Sequence, residues 1–292
     1  MKKDMQKALE GKTQLIIVNS PSSAGFLKVE KYGLTGADKI GVLHVGFYFD
    51  AYPFPTKYED SDIALLATKG PYKSNEWAVS SLRDFLSVDL HSFDRITVWY
   101  GNSTSEKMFL YFFARYYGRP FYVMNFGVYG DDDRPVLLDM MRNPRASDLI
   151  GKEAMISEEE LQRLQRKAED IISGDTGFHA MSKEGEVVNV LPDTYTGILY
   201  EIIEKHGGPI KISNLIGQMM GTYLPFCSEE FDNKLIAWHL KQGLLKATWV
   251  KDGKEIKPEE QYPDYTSIEL QFPGPYEFAY RNILIDRVPL GR

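Results

Sequence analysis

The chain has 292 residues, 43% of them apolar, 26% charged and 13% aromatic, which is enough for one large domain or two modest ones with a normal core. With 34 Lys plus Arg against 41 Asp plus Glu, the net charge is −7, which disfavours diffuse attraction to nucleic acid or anionic membrane. Its single cysteine, Cys227, excludes an intrachain disulfide and any multi-cysteine zinc site.

No apolar run reaches the roughly 18 residues of a membrane helix, and the charged start (Met1 to Gly11) does not resemble a secretory signal. A cytoplasmic protein is the expectation. Leu15 to Val18 reads as a short buried strand, followed by the polar turn Asn19-Ser20-Pro21-Ser22-Ser23-Ala24-Gly25. A helix is expected over Phe26 to Tyr32, and a second strand over Ile40 to Val45. Strand, Ser/Gly turn, helix and strand make a βαβ unit, whose parallel sheet shows as nearly continuous apolar runs. Phe47 to Asp62 carries six aromatics and two prolines, so an ordered flap is expected there. Ile63 to Thr68 is a further short element, and a helix from Ser74 to Ser87 is expected to bury Trp77, Leu82, Phe85 and Leu86.

Arg95 to Tyr100 is the clearest strand. Ser103 stands three residues before Glu106, a capping box opening a helix to Tyr117. Its aromatic residues lie around much of its circumference, so it should be covered on more than one side. Gly118 ends it and Phe121 to Asn125 is the next strand. From Ile156 the character changes. Ser157 and Glu160 open a helix with Leu161, Leu164, Ala168 and Ile171 on one face, and Phe178 to Val190 forms a hairpin. Helices are expected over Thr196 to Lys205, Ile212 to Met220 and Glu229 to Gln242, then strands over Leu244 to Val250 and Ser267 to Phe272, with another at Ile283 to Ile285.

The expected fold is α/β: a Rossmann-like, mostly parallel sheet domain over residues 12–150, then a mainly helical, winged-helix-like domain over 151–292, with the boundary near Arg142 to Lys152. If the first strands run parallel, Asn19, His44, Asn102 and Asn125 emerge at one sheet edge, where open α/β sheets place ligands. Asn19, Ser20 and Ser22 at a helix start can hold a phosphate or carboxylate. No GxGxxG or Walker-type motif accompanies them. Trp99 either stacks on a ring or fills the core, and Asn102 and Asn125 read polar groups in both senses. Glu106 either closes its capping box or acts on a proton, and His44, with Asp50 in the loop beyond it, is the other acid–base candidate.

Asp131-Asp132-Asp133 reads as a solvated turn rather than a cation site, and His179, His206 and His239 show no metal spacing. The sequence leaves the cofactor unknown. The span 197–270 holds 8 Lys and no Arg against 11 Asp plus Glu, so it lacks the electropositive footprint of a DNA reader. A packing, self-association or protein-partner module fits it better.

Leu15-Ile16-Ile17-Val18-Asn19, Val98-Trp99-Tyr100-Gly101-Asn102 with Glu106, and Val123-Met124-Asn125 resemble the bacterial DUF1835 domain family. Val188 through Asp193-Thr194-Tyr195, and Ile236-Ala237-Trp238-His239-Leu240 before Gly243-Leu244, are similar to its C-terminal companion, DUF3658. Members carry an Asp-rich segment and a Gly-Pro pair after the second strand. The counterpart here, Phe47-Tyr48-Phe49-Asp50-Ala51-Tyr52-Pro53, keeps the proline and loses the glycine. The resemblance implies an α/β N-terminal and a helical C-terminal domain, and brings no activity with it. The functional expectation is a small anionic or nucleotide-like metabolite in the N-terminal crevice. A transferase or hydrolase at that crevice, or a non-catalytic regulatory or assembly protein, are the alternatives.

Overall fold

The computed structural model describes residues 8–34, 36–59, 61, 63, 76–129, 138, 141, 144–251, 254–255 and 283–288. The strands β1 (Gln14–Val18), β2 (Ile40–His44), β3 (Arg95–Tyr100), β4 (Tyr122–Asn125) and β5 (Ala154–Met155) form one sheet in the order β2-β1-β3-β4-β5. β2, β1, β3 and β4 run parallel and β5 is antiparallel. Alternation along each strand separates two cores. Leu15, Ile17, Ile96 and Val98 belong to the larger, while Ile16, Val18 and Trp99 belong to the smaller. Both faces are therefore covered, which is why the strands read as unbroken apolar runs.

The smaller core lies under α1 (Pro21–Glu30), and Ala146 and Leu149 of the short helix Ala146–Leu149 join it. α1 begins five residues earlier than the sequence reading placed it: Ser20 caps it by accepting from the Ser23 N–H, and Pro21 occupies its first turn, a position where no donor is lost. The larger core holds α2 (Glu76–Leu86), α3 (Thr104–Tyr117) and α4, numbered here as the long helix Glu158–Ser173. In α3, Phe109, Phe112 and Phe113 are fully buried, and their rings contact Phe49, Phe85 and Phe121. Leu161, Leu164, Ala168 and Ile171 form the buried stripe of α4. Trp77 departs from expectation: it is 39% exposed.

The hairpin β6 (His179–Met181) and β7 (Val187–Asn189) follows. Then come α5 (Thr196–His206), β8 (Ile210–Lys211), α6 (Ile212–Gln218), a π-turn Met219–Tyr223 and α7 (Glu229–Lys241). β9 (Leu245–Lys251), β10 (Lys254–Glu255) and β11 (Ile283–Arg287) join β8 in an antiparallel sheet of order β10-β9-β11-β8. The expected element at Ile63 to Thr68, the acidic run Asp131 to Asp133 and the strand Ser267 to Phe272 lie wholly or mostly outside the described residues. One apolar cluster runs without interruption from Leu15 through Phe231 to Ile285.

α7 docks on the flap after β2 through polar groups. Ser228 gives its backbone N–H and its hydroxyl to Asp50, at 2.6 and 2.8 Å. The Tyr52 hydroxyl donates to Glu230 at 2.7 Å. Lys234 Nζ donates to the Ala51 carbonyl at 2.5 Å and lies 3.3 Å from the Tyr52 ring centroid. Asp50, Glu230, Asp232 and Lys234 are all buried.

Candidate functional site

A cavity of about 770 Å³ opens beyond the carboxyl ends of β1 and β2, at the start of α3. The strand order reverses direction between β1 and β3, which is where open α/β sheets leave a crevice. Three serine-capped helices begin on its wall. Ser20 accepts from Ser23 N–H at the start of α1, Ser103 from Glu106 N–H at α3, and Ser228 from Phe231 N–H at α7. All three serines line the cavity, with Ser22, Ser23 and Ser105. Each helix start carries partial positive charge from its unpaired N–H groups.

One hydroxyl ties the floor together. Ser105 Oγ accepts from Asn19 Nδ2 at 3.0 Å and from the Phe49 N–H at 3.1 Å, and donates to the Phe47 carbonyl. The end of β1, the flap and α3 therefore meet at a single atom. Asn19 is 8% exposed and lines the cavity, and its Oδ1 has no hydrogen-bond partner. Phe47, Tyr48 and Trp77 form an aromatic wall, with Met220, Pro225 and Cys227 opposite in sequence. The last three come from the C-terminal half, and Phe226 reaches further by accepting from the first N–H of α3, at 2.8 Å.

Glu106 closes the capping box and also lines the cavity. Its carboxylate accepts from the Ser103 hydroxyl at 2.9 Å. Burial pushes it up to about 7, against the pull of the Ser103 hydroxyl and the Ser103 and Gly101 N–H groups. Gly101 is required there: a Cβ would lie 2.6 Å from Glu106 Oε2 and 2.7 Å from the Phe126 ring. Gly46 is required for a second reason, since its φ of 63° is left-handed and a Cβ would meet Ser81 Oγ at 2.7 Å. Behind the wall, burial raises Asp50 to about 6 despite the two Ser228 donors. Burial likewise pushes the Cys227 thiol up, with Asp50 and Asp232 adding to it, which makes it a poor nucleophile.

The sequence candidates divide. Asn19, Ser20, Ser22 and Glu106 are brought together on one wall. Asn102 and Asn125 lie at the same sheet edge but are not among its lining residues, and Asn125 Oδ1 accepts from Gly127 N–H in a turn. Trp99 fills the smaller core, fully buried. His44 stacks on Trp77 at 6.4 Å and is held low, first by burial and then by Lys28. Asp50 pairs with Ser228, not with the histidine. Ser103, Ser105 and Ser228 were not singled out as binding residues. The first two were visible as the first turn of α3, while Ser228 arrives from 178 residues beyond its partner Asp50 with no local signal. Among the described residues no group of three or more His, Cys, Asp or Glu could hold a metal ion. None of the described helices is long and apolar enough to cross a membrane. Comparison with family models, with curated proteins and with solved structures found no match.

Proposed function

We propose that the chain binds a small anionic, nucleotide-like metabolite in this cavity. The observation that carries the reading is the convergence of three serine-capped helix starts on the wall of one cavity. At the start of α1 the Ser20 and Ser22 side chains line the cavity beside the positive end of the helix, which favours an anion, and Phe47, Tyr48 and Trp77 offer faces for a ring. The cavity's size lies within the range of roughly 300–1,000 Å³ that suits such ligands. A Rossmann-like sheet with a winged-helix-like companion, and membership of the DUF1835 and DUF3658 families, remain part of this proposal, as does a cytoplasmic setting.

A transferase or hydrolase is favoured less, because Glu106 lines the cavity while His44 does not. Nucleic-acid reading through α7 is also disfavoured, since Glu230 to Ala237 are buried. A protein partner would have to use another face of the C-terminal half.

The test uses inorganic phosphate and adenosine 5′-monophosphate as probes with the full chain. Both should raise its melting temperature. Ser22→Asp places a carboxylate in the first turn of α1, where it suits the helix and repels the anion. It should keep the fold and weaken both probes at least about tenfold, the scale of one lost charge-assisted hydrogen bond. Unchanged affinity in the variant, or no response of the wild type to either probe, would overturn the reading.

A further inference from the structure

Trp77, the second residue of α2, lines the cavity with 39% of its surface open. Ala78, Val79 and Ser81 of the same helix are buried, so the backbone is anchored while the indole faces outward. The ring is held on one side. A Cβ on Gly46 would lie 3.0 Å from Trp77 Cη2 and 3.2 Å from His44 Cδ2. The His44 ring lies nearly parallel to the indole, 17° between planes and 6.4 Å between centres. Burial and then Lys28 hold His44 low, so this backing ring is uncharged at neutral pH. Contacts run from the indole back to the anion end. Gly46 gives its N–H to the Asn19 carbonyl at 2.8 Å, and Ser20, the cap of α1, is the next residue, one chain step of about 3.8 Å away. The other rings of the wall are less open. Phe47 is 1% exposed and packs at 4.9 and 5.1 Å on Phe49 and Tyr52, and Tyr48 is half-buried.

We infer that Trp77 is the platform on which the ligand's ring stacks, that Gly46 sets the position of that platform, and that the cavity thereby prefers purine nucleoside monophosphates. This rests on the anion-binding reading above: the phosphate lies at the start of α1, and the chain of contacts through Asn19 and Gly46 makes the indole its neighbour. Stacking draws on overlapping ring area, and a two-ring purine covers more of the two-ring indole than a pyrimidine does. Gly46 is a positioning residue, acting through Trp77. Bulk at Gly46 pushes against the indole edge and the His44 ring behind it, which displaces the platform and leaves Ser20 and Ser22 where they are.

The experiment titrates the full chain with adenosine 5′-monophosphate, cytidine 5′-monophosphate and ribose 5-phosphate, following heat and tryptophan emission. Ribose 5-phosphate keeps the sugar and phosphate and has no base. The adenosine nucleotide should bind at least about fivefold tighter than ribose 5-phosphate, the low end for stacking one base on an aromatic side chain, with the cytidine nucleotide between them. It should quench part of the tryptophan emission, and ribose 5-phosphate should not. Trp77→Ala should bring the adenosine nucleotide down to the level of ribose 5-phosphate, whose own affinity stays within about twofold. Trp77→Phe keeps a stacking face, so it should keep most of the affinity and lose the quench. Gly46→Ala should weaken the adenosine nucleotide and spare ribose 5-phosphate, a split that general loss of structure would not produce. Should that variant fold poorly, Gly46→Asn, which tolerates a left-handed φ better than alanine, replaces it. Equal binding of the adenosine nucleotide and ribose 5-phosphate, equal binding of the two nucleotides, a parallel loss of both ligands in Trp77→Ala or in the Gly46 variant, or a quench that survives Trp77→Phe would each overturn the inference. If ribose 5-phosphate and inorganic phosphate still bind, the platform alone has failed. If no phosphate-bearing probe binds, the anion site has failed with it.

Discussion

A carboxyl whose value burial has raised is a stored dependence on pH, and Asp50 is the clearest case. Its ordinary value of 3.8 rises to about 6 in the fold, chiefly through burial. The folded chain therefore binds more protons than the unfolded chain between about pH 4 and pH 6. The associated stability is fully present below the unfolded value and is lost as pH rises through the folded one. At about 1.4 kcal/mol per unit, the swing is on the order of 3 kcal/mol. Asp50→Asn keeps an acceptor for Ser228 and removes the titration. Urea denaturation should show its stability, relative to wild type, rising by about that much from pH 4 to pH 8. A difference independent of pH would refute the assignment. At this scale the sequence is legible wherever the signal is local. Ser103 with Glu106 announces its own cap, and Asn19 to Ser22 announces a turn. Asp50 showed nothing of its partner, because a hydrogen bond to Ser228 leaves no trace in spacing.

The helix α7 departs from a simple amphipathic reading. Its acidic first turn suits the helix dipole, yet Glu230 and Asp232 are buried rather than solvated. Lys234 holds the far side, on the Ala51 carbonyl and the Tyr52 ring. Burial lowers it to about 8, with Glu230 and Asp50 pulling the other way, so it is charged at neutral pH. Lys234→Met leaves Glu230 and Asp50 without that charge, and removing one member of a buried set is costly. A loss of about 3 kcal/mol is expected in denaturant titration at pH 7, and a loss below about 1 kcal/mol would show that the lysine only fills space. The stripe of α4 and the aromatic girth of α3 were readable because period and composition agree. The start of α1 was misplaced because apolar periodicity was followed where Ser20-Pro21 carried the stronger signal. Trp77 was expected in the core for the same reason: a large ring at a periodic position reads as buried until a cavity is known to lie beside it.

Across the molecule, a mostly parallel sheet built on β1 to β4 was legible as apolar runs; the order β2-β1-β3-β4 was not, and neither was the antiparallel β5, since two residues give no pattern. The shared core was also hidden. Phe231 of α7 packs edge-on against Phe178 and Tyr195, at 5.5 and 5.8 Å, in the same cluster that contains β1. Because that cluster is continuous from β1 to α7, the two halves of the chain should unfold together. Scanning calorimetry is expected to give one transition whose van't Hoff and calorimetric enthalpies agree. Two resolved transitions would show the halves to be thermodynamically separate.

The Ser105 hydroxyl has its one hydrogen and both lone pairs engaged. It can turn toward no visitor without releasing the flap or the end of β1. The floor therefore holds its dimensions whether or not anything rests on it, and adaptation to a larger or smaller guest must come from the rim. Under the proposed binding, substitutions that change the size of the accepted ligand would fall at Tyr48, Trp77 and Met220 and not at Ser105.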